Sequence, residues 1–205
     1  MNDTAGQTPP TIFTIGHSSQ PIEAFVELLR ANKIDVLADA RSSPYSKYAP
    51  QFNAESVKAA AVAAGIKYVF MGHELGGKPA GSEFYDAAGY VLYSRLAQSP
   101  PFLAGITRVL NGIRTCRTAI LCSEENPAEC HRRLLVGRVL AERGVNVLHI
   151  RHDGSIQSEA DILREEKAAK PNSGQLALFD IEDKPEWKST RSVSPAKQPP
   201  NSSEP

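Results

Sequence analysis

The residues most able to do chemistry lie together in CSEENPAECHRR (122–133). Two thiols, Cys122 and Cys130, stand with Glu124, His131, Arg132 and Arg133. Asn126, Pro127 and Glu129 have the spacing of a helix start: a capping side chain, a proline in the first turn and a carboxylate three residues after the cap. That assignment uses Glu129 structurally and leaves Glu124 as the carboxylate with no structural duty. Cys130 and His131 then fall near the positive end of a helix, where a thiolate or a bound anion is favoured. Three metal-binding or phosphate-binding patterns fail here. The Cys122/Cys130/His131 spacing is not that of a zinc knuckle, and a fourth ligand would have to come from a distant loop, so no metal and no cofactor are expected. A cysteine-phosphatase loop needs Arg six residues after Cys, and Ala128 and Val136 occupy those places. GHELGGKP (72–79) approaches a P-loop but has Pro79 where magnesium needs a hydroxyl.

A second group is DARSSPYSKYAPQFN (39–53). Asp39 can take a proton or orient Arg41, and Arg41 can grip a phosphate in bidentate fashion. Tyr48 and Phe52, with Tyr45, are placed to stack on a base, and Ser46 adds a hydroxyl. The alternative is a buried Asp–Arg pair that holds the loop.

These groups must be positioned by the elements around them. TIFTIG (11–16), DVLADA (35–40), IKYVFM (66–71), TAILCS (118–123) and VNVLHI (145–150) read as five strands. Helical patterns cover 21–32, 55–65, 83–98, 101–114, 127–144 and 158–170. Alternation of this kind predicts an α/β three-layer sandwich with a mainly parallel five-stranded sheet. In such a sheet the functional loops follow the carboxyl ends of the strands. His17-Ser18, Asp39-Arg41, His73-Glu74, Cys122-Glu124 and His152-Asp153 all do so, which predicts one shared crevice. The glycines Gly76 and Gly77 read as a loop over it. A single domain is expected over 11–170, with a disordered start (1–10) and a disordered tail (171–205) dominated by Pro, Ser, Lys, Asn and Glu.

TIGHS (14–18), DARSSPYS (39–46), ELGG (74–77) and CSEENPAECHRRLL (122–135) together resemble the family known as domain of unknown function 488, over about residues 11–155. The family pattern usually has Val where this chain has Ala40. The resemblance implies an α/β domain with a polar site, and its matching positions are His17, Ser18, Asp39, Arg41, Pro44, Ser46, Gly76, Gly77, Cys122, Glu124, Cys130, His131 and Arg132. It implies no settled reaction.

The tail carries one more signal. In QLALF (175–179), Gln175, Leu176, Leu178 and Phe179 match the short peptide by which many bacterial replication and repair proteins bind the sliding clamp. Gln175 would bond at a groove edge while Leu178 and Phe179 fill a pocket. A fold-back flap on the domain is the alternative. Clamp binding makes DNA, or a nucleotide, the expected occupant of the crevice. Asp39 or Glu124 would activate water, His17 or His131 would serve as general acid, and Arg41 and Arg132 would hold phosphate. Excision or hydrolysis of a damaged or modified base is the first expectation. A non-catalytic nucleotide-binding module recruited to the clamp, and a cysteine-based small-molecule enzyme, are the alternatives.

Bulk composition narrows the field. Lys and Arg total 23 and so do Asp and Glu, so no global basic field points to nucleic acid. Three cysteines without CxxC spacing do not form a disulfide framework. The absence of a signal peptide or a long apolar run points to a cytoplasmic protein with no membrane partner.

Overall fold

The computed structural model describes residues 9–169 and 186–193. The elements in chain order are β1 (Thr11–Gly16), α1 (Ile22–Ala31), β2 (Val36–Asp39), α2 (Ala54–Ala63), β3 (Lys67–Phe70), α3 (Gly72–Leu75), β4 (Tyr90–Leu92), α4 (Tyr93–Leu96), α5 (Pro100–Gly112), β5 (Thr118–Cys122), α6 (Arg138–Ala141), β6 (Asn146–Ile150), β7 (Ile156–Ser158), α7 (Glu159–Ala169) and β8 (Lys188–Ser192). The main sheet has the order β3-β2-β5-β1-β6-β7. Its first five strands are parallel, with Asp39 level with Leu121 and Gly16 level with Cys122.

The sheet therefore has six strands where the sequence suggested five. β7 is the addition. It follows β6 through a tight turn and pairs antiparallel at the edge, too short and too polar to register as a strand in isolation. Residues 83–98 also differ from the helix expected there. Asp86 accepts the backbone N–H groups of Ala88 and Tyr90, a side-chain turn that competes with helix. The chain then runs into β4 before one turn of α4.

The two faces of the sheet are covered by different parts of the chain. Phe25 and Leu29 of α1 and Val57 and Ala61 of α2 pack with Phe13, Ile15, Leu37 and Leu121 on one face. Phe102, Ile106 and Val109 of α5 pack with Leu135, Val136 and Leu140 against Ile12, Ala38 and Ile120 on the other. β5 lies between β1 and β2, yet the connection leaving it crosses the face opposite to theirs. Such a divergence opens a crevice at the carboxyl end of the strand.

Lys188–Ser192 falls within the span expected to be disordered, and it forms a strand antiparallel to β4. Trp187 anchors it. The indole N–H donates to the Leu134 carbonyl at 2.8 Å, and the ring lies under the Arg138 guanidinium and edge-on to Tyr93. Residues 175–179 lie outside the described residues. Among the described residues, no helix is long and apolar enough to cross a membrane.

Candidate functional site

A crevice of about 170 Å³ lies at the carboxyl end of β5, lined from two of the five strand-end clusters, whereas His73 and Glu74 line a second cavity and His152 and Asp153 a third. Arg41, Ser42 and Ser43 form one wall, Gly77 and Lys78 another, and Cys122, Ser123 and Glu124 the floor. His131 closes one side, and Ser189, Thr190 and Arg191 of β8 close the last.

The segment after β5 is built differently from a plain helix. Asn126 does cap the first turn, accepting the Ala128 N–H at 3.1 Å. That turn is a short 3-10 segment, Pro127–Glu129, and the chain extends again at Cys130. Glu129 turns to Arg191 of β8, away from any capping box. Helix resumes only at His131, and Arg132–Gly137 is a π-helical stretch, a form often found at functional sites. Cys130 thus sits in a break before the helix rather than in its first turn. The break folds Cys130 and His131 back over the end of β5.

The result is a convergence of four donors. Glu124 Oε2 accepts from Cys122 Sγ at 2.9 Å and from Cys130 Sγ at 3.2 Å. His131 Nδ1 lies 3.4 Å from Cys122 Sγ and 3.9 Å from Cys130 Sγ. All four donor atoms lie within 4.8 Å of one another. His131 Nε2 is 3.1 Å from the Ala40 carbonyl and must donate to it, which leaves Nδ1 free to face the thiols. Both sulfurs are buried, whereas Glu124 as a residue is exposed to the crevice.

Electrostatics sharpen the cluster. Desolvation works to raise the Glu124 pKa, but the Cys122 hydrogen bond, the His131 charge and the Cys130 hydrogen bond prevail and hold it at about 2. Burial opposes ionisation of both thiols. At Cys130 the Cys122 hydrogen bond and the neighbouring His131 and Arg132 overcome it and pull the pKa down. At Cys122 burial and the adjacent Cys130 push it up. One proton leaves the pair readily and the other is retained. Burial also works against a charged His131, but its contacts with Cys130 and Glu124 raise its pKa on balance.

Arg132 lies beneath the cluster, fully buried. Its guanidinium donates to the carbonyls of Glu124 and Glu125 and, through Nε, to Thr14 Oγ1 at 3.2 Å. It shapes the loop that carries Glu124. Gly16 makes this possible, because a Cβ there would lie 1.7 Å from the Glu124 carbonyl oxygen. Gly77 does the same on the opposite wall: its Cβ would sit 2.6 Å from the His131 ring. Gly76 packs against Ser42 in the same loop. Arg133 turns away and grips Glu159 and Glu166 of α7.

A second polar group stands beside the first. Asp39 is fully buried and receives Arg41 through Nε at 2.8 Å and Nη2 at 2.5 Å. Tyr68 donates its hydroxyl to Asp39 Oδ2 at 2.7 Å. Arg41 Nη1 donates to the Phe52 carbonyl at 2.6 Å and to His17 Nε2 at 3.1 Å. His17 stacks on Phe52 at 4.3 Å, and its Nδ1 donates to the Ser18 carbonyl at 2.6 Å. Burial lowers the His17 pKa to about 4, with the Arg41 charge adding to it against the Ser18 bond. The imidazole is therefore neutral near pH 7.

Ser18, Ser46 and Tyr48 are not on the crevice walls. Ser18 is exposed on the turn after β1, and Ser46 holds its own loop by accepting the Tyr48 N–H and donating its backbone N–H to Asn53. Tyr48 points to solvent. Sequence reading missed Tyr68, Tyr93 and the β8 wall. Tyr68 alternates inward in β3, and Trp187 is the one tryptophan of the chain in an otherwise polar stretch; each was a usable signal.

The model of the family described as domain of unknown function DUF488 matches residues 21–139, more than half of the chain. This chain belongs to the DUF488 family. The DUF488 match takes in the whole Cys122–His131 cluster and the Asp39–Arg41 pair, and it begins after His17 and Ser18. Neither the comparison with curated proteins nor that with solved structures finds a match.

Proposed function

We propose that this chain is a hydrolase whose reaction centre is the Cys122–Glu124–Cys130–His131 cluster, and that it acts on a small polar group, first of all a damaged or modified nucleobase. The observation that carries the reading is Glu124, a carboxylate held ionised at about pKa 2 on the floor of the crevice by two thiols and an imidazole. A carboxylate facing a cavity can take the proton of a water, and Glu124 gains the basicity for it when the thiol hydrogen bonds that hold its pKa down are given up. Asp39 has no such freedom, since both its oxygens are bonded to Arg41 and Tyr68. Activation of water therefore falls to Glu124 in this reading. The crevice volume, about 170 Å³, suits one planar base better than a whole nucleotide. It is smaller than the roughly 300 Å³ at which sites for drug-sized ligands begin. Lys78 at the wall supplies positive charge for a flanking phosphate, while Arg191 beside it is paired with Glu129.

Recruitment rests on Gln175, Leu176, Leu178 and Phe179, which would hold the chain on a sliding clamp and raise its concentration at DNA. A second reading has one observation in its favour. The lowered Cys130 pKa fits a cysteine nucleophile acting on a small molecule.

The test is to incubate the purified protein with single- and double-stranded DNA carrying damaged or modified bases, and with free nucleosides, and to follow products by mass spectrometry. Release or conversion of a base is expected. Binding without turnover across the panel overturns the hydrolase reading in favour of a binding module. Clamp binding is measured in parallel, and a Leu178→Ala/Phe179→Ala variant is expected to lose it; binding unchanged in that variant removes the recruitment step.

A further inference from the structure

We propose that Cys122, Cys130 and His131 bind one zinc ion at the floor of the crevice, with Glu124 beside it as the base that works on a water held by the metal. What the metal does rests on the hydrolase reading above; that it binds does not.

The first argument is distance. Zinc–sulfur bonds of about 2.3 Å and zinc–nitrogen bonds of about 2.0–2.1 Å in a tetrahedron place donor atoms about 3.4–3.8 Å apart. His131 Nδ1 is 3.4 Å and 3.9 Å from the two sulfurs. The two sulfurs lie within 4.8 Å of one another, so the three donors converge on one region.

The second is orientation. A metal-bound histidine typically donates its other ring N–H to a carbonyl or carboxylate, which fixes the tautomer. His131 Nε2 does this to the Ala40 carbonyl at 3.1 Å. The Arg132 backbone N–H points at Cys130 Sγ at 3.4 Å, a bond that serves a sulfur carrying negative charge.

The third is charge. Arg132 is fully buried and forms no salt bridge among the described residues; its guanidinium meets only carbonyls and a hydroxyl. A buried charge without a counter-ion is costly. Two thiolates and Glu124 around a divalent ion carry a net charge of about −1, which answers Arg132.

The donor set also chooses the metal. Paired thiolates with imidazole select zinc over magnesium or calcium. Three protein ligands leave a fourth position open, the arrangement of catalytic rather than structural zinc. Here Glu124 Oε2, 2.9 Å and 3.2 Å from the two sulfurs, stands at that position and must yield it to the water it is to deprotonate. One His, two Cys and a non-ligating Glu is also the set that zinc-dependent base deaminases use. Water in that position gives a proton to Glu124, the hydroxide adds to an electrophilic carbon of the substrate, and Glu124 returns the proton to the departing group. Water is the sole co-reactant.

The experiment uses the full chain, purified without chelator and with any tag removed. Mass spectrometry of the metal content is expected to give one zinc per chain. Stripped protein titrated with cobalt(II) is expected to show a thiolate-to-cobalt charge-transfer band and intense tetrahedral bands in the visible. Cys122→Ser, Cys130→Ser and His131→Asn should each lose these bands, while Cys116→Ser and Glu124→Gln keep them. No stoichiometric metal and no thiolate band in the wild type overturns the inference, as do bands that survive Cys122→Ser. Loss of metal in Glu124→Gln makes Glu124 a ligand and overturns the three-ligand assignment. One zinc per chain with no turnover leaves the site standing and removes the hydrolase reading. Full turnover in stripped protein keeps the hydrolase reading and overturns the metal's part in it.

Discussion

Two polar clusters sit side by side on the same sheet end, and they are built on opposite plans. In the Asp39–Arg41–Tyr68–His17 group the donors are met by acceptors within the group or by the carbonyls beside it, four of the five Arg41 N–H groups among them. Asp39 receives three side-chain bonds, Arg41 spends its guanidinium on Asp39, Phe52 and His17, and His17 is held at both nitrogens. In the Cys122–Glu124–Cys130–His131 group the acceptors and weak donors converge on one another, all within 4.8 Å. A closed network of this kind rigidifies a core. A convergent one, open to a cavity, is suited to bind and react. The first fixes the loops that form the crevice wall. The second forms the crevice floor. Arg41 and the Ala40 carbonyl are the bridge, one lining the wall and the other orienting His131.

The contrast can be broken from either side. The largest effect on stability is expected at Asp39. Asp39→Ala leaves Arg41 buried without its carboxylate and Tyr68 without its acceptor, a loss of about 3–5 kcal/mol, read as a lower denaturant midpoint. A loss below about 1 kcal/mol would show that the network is not closed in the way described. The next effect is on acid stability. His17 has its pKa lowered from 6.5 to about 4 by burial, so the folded state disfavours its charged form. The stability this contributes is complete above pH 6.5 and is lost as pH falls toward 4, by about 3 kcal/mol. Denaturation midpoints measured between pH 7 and pH 4 should fall less steeply in His17→Asn than in the wild type. Parallel profiles would contradict a neutral, buried His17. The smallest effect on stability, about 1–2 kcal/mol, is expected from Gly77→Ala, whose Cβ must displace the His131 ring. The same variant should lower turnover about tenfold or more, because sub-ångström misplacement of a reacting group is costly.

Much of this was legible in the sequence for a physical reason. β1, β2 and β5 are short, mostly apolar runs buried on both faces, and such runs declare themselves. The order of the strands could not be read, but the rule that polar residues follow strand ends found the two clusters that line the crevice without it. What escaped was non-local. Cys122 and Cys130 are brought together by the extended break at Cys130 and the π-helical stretch after it. Helix periodicity over 127–144 conceals both. Zinc was set aside because the spacing is no knuckle and a fourth ligand was expected from a distant loop, whereas the fold brings Glu124 to within 4.8 Å of the Cys122, Cys130 and His131 donors. β8 was hidden by composition: Lys, Ser, Thr and Arg read as solvated chain, and only Trp187 marks a point of attachment. β7 lacked the length to be seen.

The central claim is that the cluster at the end of β5 does chemistry while its neighbour holds the fold. Glu124→Gln tests this most directly, with turnover and denaturation midpoint measured on the same preparation. The amide can still accept from both thiols but cannot act as a base. The account predicts a loss of about 10²–10⁴ in turnover, with a loss of stability of at most about 3 kcal/mol from the charge the amide gives up, below that of Asp39→Ala. Full turnover, or a large loss of stability with it, would contradict the assignment.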